Sequence, residues 1–311
     1  MRNPLRFVTP VVTLALAACV TAAPDTSPRP EIRAEAPPEV VEPSAESIAF
    51  ARYYENTQAR LIGNGLLRTD GGGPDTPFSA RQLAQNFERI ALYDEYTLEN
   101  GRFVERQTSA RLRRWSGPVR LQAHFGPTVD EAQQAEDRSV LGTFATRLAR
   151  ATGHPVRSVS SGGNFHVLYM NTDSLSNSGP LLRQLVPGIS DATVREIETL
   201  GRFTFCSVYA FSAAGSSDYI AAIAVIRDEH PDLLRRSCVH EEVAQGLGLP
   251  NDSPAARPTI FNDDEEFALL TRHDELLLQM LYDRRLTPGL TPEEARPTVE
   301  LIANELLGGP S

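Results

Sequence analysis

The segment SCVHEEVAQGLGLPND, residues 237–252, holds the densest group of side chains that could carry out chemistry. His240 offers an imidazole, and Glu241 and Glu242 follow it directly. Ligands one helical turn apart can hold a divalent metal ion, and an adjacent glutamate can act as general base on metal-bound water. We therefore take His240, Glu241 and Glu242 as the candidate catalytic residues, and the chemistry they indicate is metal-assisted hydrolysis.

The spacing departs from that of a histidine-based zinc site in both possible registers. With His240 as the first ligand, the position one turn later is Ala244, which has no ligand atom. With Glu242 as the base, the ligand positions fall on Glu241, Gln245 and Asn251. Their oxygens are hard ligands that suit Ca²⁺ or Mg²⁺ better than Zn²⁺. These three are candidate metal ligands, but the sequence predicts no resident cofactor.

Hydrophobic patterning predicts the elements that must position this segment. Apolar runs at 164–171, 203–211 and 219–226 are typical of buried strands, and another strand is predicted just after Trp115. Pro231 can begin a helix that carries His240, and the glycine at 248 can end it. Further helices are predicted at 46–65, after a Ser79 cap, and at 129–151, 190–200, 272–283 and 291–307. The fold class that this order indicates is α+β, with a mixed sheet and long helices.

The chain divides into four regions by composition. Residues 1–18 are predicted to form a signal peptide, because they contain two arginines near the start and a short apolar run. Residues 19–45 are rich in proline, alanine and acid, which predicts a disordered tether. Residues 46–114 are predicted to be a helical region, and residues 115–311 to be the main domain.

Two stretches carry a resemblance to known families. Residues 237–252, together with IFNDDEEFALLTRHDELLLQMLYD at 260–283, resemble a family of bacterial lipoproteins whose domain has no known function. This resemblance spans about residues 115–310, and it implies export and a membrane anchor but no mechanism. The order of strand, helix with His and Glu, and glycine turn is more loosely similar to metzincin-type zinc peptidases, which implies a zincin-like fold.

The sequence LAAC, Leu16–Cys19, resembles the lipobox at which a bacterial lipoprotein is cut and lipidated. Cys19 would then carry the lipid and anchor the protein to a membrane facing the periplasm. Val20 stands where an aspartate often retains a lipoprotein in the inner membrane, so the outer membrane is favoured. The alternative is an ordinary secretory signal cut after small residues.

The two remaining cysteines, Cys206 and Cys238, are expected to form a disulfide. Export places them in an oxidising compartment, where disulfides persist. The alternative is a pair of buried free thiols.

Charge and motif chemistry leave two functional hypotheses. Acids outnumber bases 40 to 30, for a net charge of −10, and such a surface disfavours nucleic-acid binding. The first hypothesis is an envelope lipoprotein with a degenerate peptidase-like domain that binds a protein or peptide or has a structural role. The second is an atypical metal-dependent peptidase or hydrolase that uses His240, Glu241 and Glu242.

Overall fold

The computed structural model of the protein describes residues 41–99, 102–262 and 264–308. The strands in these ranges are β1 (Tyr93–Glu99), β2 (Arg102–Ser109), β3 (Val119–Phe125), β4 (Val156–Ser158), β5 (Phe165–Met170), β6 (Cys206–Ser212) and β7 (Tyr219–Arg227). The helices are α1 (Ala45–Gly63), α2 (Ala80–Ala91), α3 (Glu131–Thr152), α4 (Thr172–Leu175), α5 (Gly179–Leu185), α6 (Asp191–Glu198), α7 (Asp232–Gln245), α8 (Arg272–Leu281) and α9 (Pro292–Leu307).

Five of the strands form one sheet in the order β4-β3-β5-β7-β6. Neighbouring strands are parallel except for β6, which runs antiparallel to β7. The short link between β6 and β7 permits this antiparallel pairing, whereas the parallel pairs are joined by helical crossovers. The predicted mixed sheet with long helices is therefore confirmed.

The central strands are apolar because both faces of the sheet are covered. All six residues of β5 are buried. Phe165, Val167 and Tyr169 belong to the larger core, to which α3, α7 and α8 also contribute. Leu168 and Met170 belong to a second core, on the opposite face, which α4, α5 and α6 complete. Side chains alternate between the faces along a strand, so a strand buried on both sides reads as a continuous apolar run.

The region before the sheet contains more than the predicted helices. Ser79 caps α2 through a capping box with Gln82, as predicted. β1 and β2 pair as an antiparallel hairpin between α2 and the sheet, which the sequence analysis did not predict. Leu83 and Phe87 of α2 lie in the same core as Trp115, so residues on both sides of position 115 share one hydrophobic interior.

Candidate functional site

α7 follows β7 and lies against both β7 and β6, so the predicted helix packs on the sheet. Pro231 is its N-cap residue and makes no side-chain cap hydrogen bond. Instead the Gln58 side-chain oxygen of α1 accepts hydrogen bonds from the backbone N–H groups of Leu233 and Leu234, at 3.2 and 3.0 Å. A glutamine of another helix thus satisfies two donors that every helix N-terminus leaves open.

The disulfide between Cys206 and Cys238 is confirmed, with an S–S distance of 2.06 Å. Cys206 is the first residue of β6, and Cys238 lies in the middle of α7. The bond therefore fixes the outermost strand of the sheet to the helix that carries the candidate site.

His240 is held inside the protein by two contacts. Its Nδ1 accepts a hydrogen bond from the backbone N–H of Leu270 at 3.0 Å. Its ring stacks on Phe144 of α3, with ring centroids 4.0 Å apart and an interplanar angle of 11°. Burial, with smaller effects of Arg147 and Arg236, lowers the pKa of His240 to about 3. The ring is therefore neutral at ordinary pH, and the one lone pair of its neutral form is used by the backbone.

The two glutamates of the motif lie beside the disulfide. Cys206, Glu241 and Glu242 each offer one ligand atom, and these atoms lie within 4.8 Å of one another. Glu242 is buried and Glu241 is partly exposed. Cys206 is oxidised, so its sulfur is not a thiolate ligand in this form of the protein.

The other predicted ligands, Gln245 and Asn251, make structural hydrogen bonds. The Gln245 amide donates to Asp252 at 3.0 Å, within the turn that follows α7. Asn251 is fully buried, and its amide donates to the backbone oxygen of Arg89, at the end of α2, at 2.7 Å. Of the predicted site residues, Glu241 and Glu242 thus lie together beside Cys206. Gln245 instead stabilises the turn after α7, and Asn251 bonds that turn to α2.

The glycines of the motif serve close packing. A Cβ atom at Gly246 would lie 2.4 Å from the Phe165 ring. Gly248 has a φ of +130°, and a Cβ there would lie 2.2 Å from the backbone oxygen of Arg113. The Gly246 backbone oxygen also accepts a hydrogen bond from the indole of Trp115 at 2.9 Å. Close packing therefore accounts for the need for glycine at both positions, and no metal site has to be invoked.

β6 adds a feature that the sequence analysis did not single out. It is the last strand in the sheet order, and among the described residues β7 is the one strand that pairs with it. Each of its seven residues is partly exposed. Val208 and Ala210 pack on the larger core, and Tyr209 and Phe211 pack on the second core. Its sequence, CSVYAFS, has neither charge nor proline.

The family model described as "Protein of unknown function (DUF2927)" matches residues 80–301 of the chain. The protein belongs to this family. The match to DUF2927 starts at the first residue of α2 and ends within α9, so α2 is part of the family's domain although the sequence analysis placed the start of the resemblance near residue 115. No curated protein and no solved structure matches the chain. The similarity to metzincins therefore stays a prediction.

Two predictions for this DUF2927 protein concern its N-terminal segment. Cys19, the predicted lipidation site, and the predicted signal peptide lie outside the described residues. None of the helices described is both long and apolar enough to cross a bilayer. The lipid anchor and the envelope location stay predictions.

One signal in the sequence could have identified the β6 edge. An uncharged strand that ends a sheet is uncommon, because natural edge strands are usually protected by charge, proline or shortness. The composition of CSVYAFS was visible in the sequence, but its place at the end of the sheet was not, because that depends on which strands pair.

Proposed function

We propose that the protein is a membrane-anchored envelope lipoprotein whose DUF2927 domain binds an extended segment of a partner protein along β6, without catalysis. The observation that carries this proposal is the position of β6 at the end of the sheet. This seven-residue strand has no charged residue, and among the described residues β7 is the one strand that pairs with it.

The two edges of the sheet differ in a way that supports a binding role for β6. The opposite edge strand, β4, has three residues and includes Arg157, so it is both short and charged. β6 is more than twice as long and has no charged residue, so it lacks both features that protect an edge strand from pairing. An edge strand presents a row of unpaired N–H and C=O groups to any chain that can pair with them. Addition of an extended segment to such an edge is a recurrent mode of peptide recognition.

Charge near the start of β6 indicates which segments would bind. Glu241 and Glu242 lie next to Cys206, the first residue of the strand. The chain as a whole has a net charge of −10. A segment with lysine or arginine at the end that pairs near Cys206 is therefore favoured, and its association rate should fall as the salt concentration rises.

The role of His240 argues against the alternative hypothesis, a metal-dependent hydrolase. A histidine ligand or base needs a free lone pair, and the neutral ring has one. In His240 that lone pair accepts the Leu270 N–H, and the ring stacks on Phe144. To bind a metal through this nitrogen, the ring would have to give up a buried hydrogen bond.

The membrane anchor is supported by the sequence LAAC that ends at Cys19. We expect metabolic labelling with a radioactive fatty acid to mark the full-length protein, and Cys19→Ala to abolish the label and release the protein from the membrane fraction. A protein that keeps its label after this substitution would contradict lipidation at Cys19.

The binding role can be tested with extended peptides selected against the full chain from a random display library. Hydrogen exchange should show new protection of the β6 backbone amides when a selected peptide binds. Ala210→Lys, which places a charge on the edge strand, should weaken binding at least tenfold, whereas Ala210→Ser should not. Comparison of the thermal transitions of both variants controls for folding.

Two results would overturn the proposal. Protection confined to another surface would show that β6 is not the binding edge. Cleavage of casein or of the selected peptides that is lost in Glu242→Gln would show that the protein is a hydrolase.

A further inference from the structure

The disulfide joins two of five potential metal donors that meet at one place between β6 and α7. The ligand atoms of Cys206, Glu241 and Glu242 lie within 4.8 Å of one another. Cys238 is bonded to Cys206 and therefore belongs to the same cluster. His230 Nδ1 lies 3.6 Å from the Cys238 sulfur. The cluster thus contains sulfur, oxygen and nitrogen donors, three of them on one helix.

The three metal donors of α7 share one face of the helix because of their spacing. Glu241 and Glu242 are three and four residues after Cys238, so all three side chains lie on the same face of the helix. Cys206 reaches this face from β6. Glu241 and Cys206 are partly exposed, which leaves an entry path from solvent, whereas Glu242 and Cys238 form the buried floor.

The present covalent state blocks this cluster as a metal site. Metal binding by cysteine requires the thiolate, and both sulfurs are used in the S–S bond. Without the sulfurs, two carboxylates remain, and these alone hold a metal weakly. Two thiolates and two carboxylates, in contrast, are a complete tetrahedral ligand set for zinc.

We propose that reduction of the Cys206–Cys238 disulfide opens a site for one thiophilic divalent cation of the zinc type, held by both cysteines, Glu241 and Glu242. The reductant is a dithiol: it transfers two electrons and two protons to the S–S bond and becomes a disulfide itself. The cation then displaces the two thiol protons, so that two protons leave for each ion bound. Reoxidation by a disulfide oxidant expels the ion. The site includes Cys206 at the start of β6 and both glutamates beside it, but metal binding requires no bound peptide.

The geometry requires modest movement. A tetrahedral zinc ion holds sulfur and oxygen ligands roughly 3.5 Å apart. The observed limit of 4.8 Å among Cys206, Glu241 and Glu242 is within about one side-chain rotation of that value. The sulfurs must separate from their bonded distance. Cys206 is partly exposed at the start of β6, whereas Cys238 is buried. His230 Nδ1 lies close enough to the Cys238 sulfur to hold it in place.

Cobalt(II) is a suitable probe because it substitutes for zinc and gives a thiolate-to-metal charge-transfer band in the near ultraviolet. The full chain is purified in detergent, reduced with a phosphine that does not compete for metal, and titrated with Co²⁺ in the absence of oxygen. We expect one Co²⁺ per chain and a charge-transfer band in the reduced protein, and no band in the oxidised protein. Zinc should displace the cobalt and erase the band.

The carboxylate ligands are tested by Glu242→Gln, which should weaken Co²⁺ binding at least tenfold in the reduced protein. Glu300→Gln, an exposed position on α9, is the matched control and should bind as the wild type does. A reduced protein that stays folded and shows no band would overturn the proposal. So would equal affinity in Glu242→Gln and the wild type, because the cysteines alone would then hold the ion.

Circular dichroism distinguishes a built site from capture by an unfolded chain. If reduction unfolds the protein, Co²⁺ should restore the native spectrum in the wild type. An ion that binds without restoring that spectrum would contradict the proposed site.

Discussion

The buried neutral state of His240 makes a quantitative prediction about the pH dependence of stability. The folded-state pKa is about 3, mainly because of burial, whereas an unfolded histidine titrates near 6.5. The folded pKa is lowered, so the contribution to stability is fully present above pH 6.5 and is lost as the pH falls from 6.5 towards 3. Between pH 7.5 and pH 5.5 the unfolded state gains almost one proton at this residue, and the folded state gains none. The linked loss in the free energy of unfolding is about 1.4 kcal/mol.

The substitution that isolates this contribution is His240→Asn. The Asn side-chain oxygen can accept the Leu270 N–H in place of Nδ1, and it does not titrate. Urea denaturation of the wild type and the variant at pH 7.5 and pH 5.5 gives four free energies of unfolding. We expect the wild type to lose about 1.4 kcal/mol more than His240→Asn between the two pH values. Other titrating groups contribute equally to both proteins and cancel in the difference.

Val243→Ala provides the control for general destabilisation. Val243 is fully buried on the same helix, and its truncation removes packing without removing a titrating group. This variant should be less stable than the wild type at both pH values and should keep the wild-type pH dependence. If His240→Asn also keeps the wild-type pH dependence, the ring is not a buried neutral group, and the argument against its role as ligand or base fails.

Two further predictions test the framework of the site. Replacing both Cys206 and Cys238 by serine opens a loop with a sequence separation of 32 residues. The chain-entropy relation predicts a loss of about 3.7 kcal/mol in the free energy of unfolding, which chemical denaturation measures. A loss below about 1 kcal/mol would show that the disulfide does not restrain the unfolded chain as this relation assumes. Gly246→Ala should cost about 1–3 kcal/mol, because its new methyl group would meet the Phe165 ring at 2.4 Å. An unchanged thermal transition in Gly246→Ala would contradict the close packing of α7 against β5.

The long elements were predictable because local signals mark their ends. α3 begins after the Asp130 cap and ends at Gly153, whose φ of 65° is left-handed, close to the predicted 129–151. The short helices α4 and α5 were missed because four and seven residues are too few to show a helical period. The hairpin of β1 and β2 was missed although the sequence contains the dipeptide Asn-Gly at 100–101, a strong hairpin signal.

The candidate site was only partly predictable, because side-chain partners depend on which elements become neighbours. The motif indicated ligands, but it could not show that Leu270 would donate to His240 or that Asn251 would bind the end of α2. In the same way, His124 and His166 are far apart in the chain, yet their ring nitrogens lie 3.0 Å apart because β3 and β5 are adjacent strands. Helix and strand patterns contain no information on such long-range pairs.

The start of α1 determines how mechanical load would enter the domain. The Ser44 backbone N–H donates to Asp173 of α4, and the Ser47 hydroxyl donates to the buried carboxylate of Glu229. A pull on the chain ahead of residue 44 would therefore load two side-chain attachments, one just before α1 and one in its first turn. Part of the force would pass through Glu229 into the turn between β7 and α7, and part through Asp173 into α4, which follows β5. The load would therefore enter the sheet at β5 and β7, two strands in its interior.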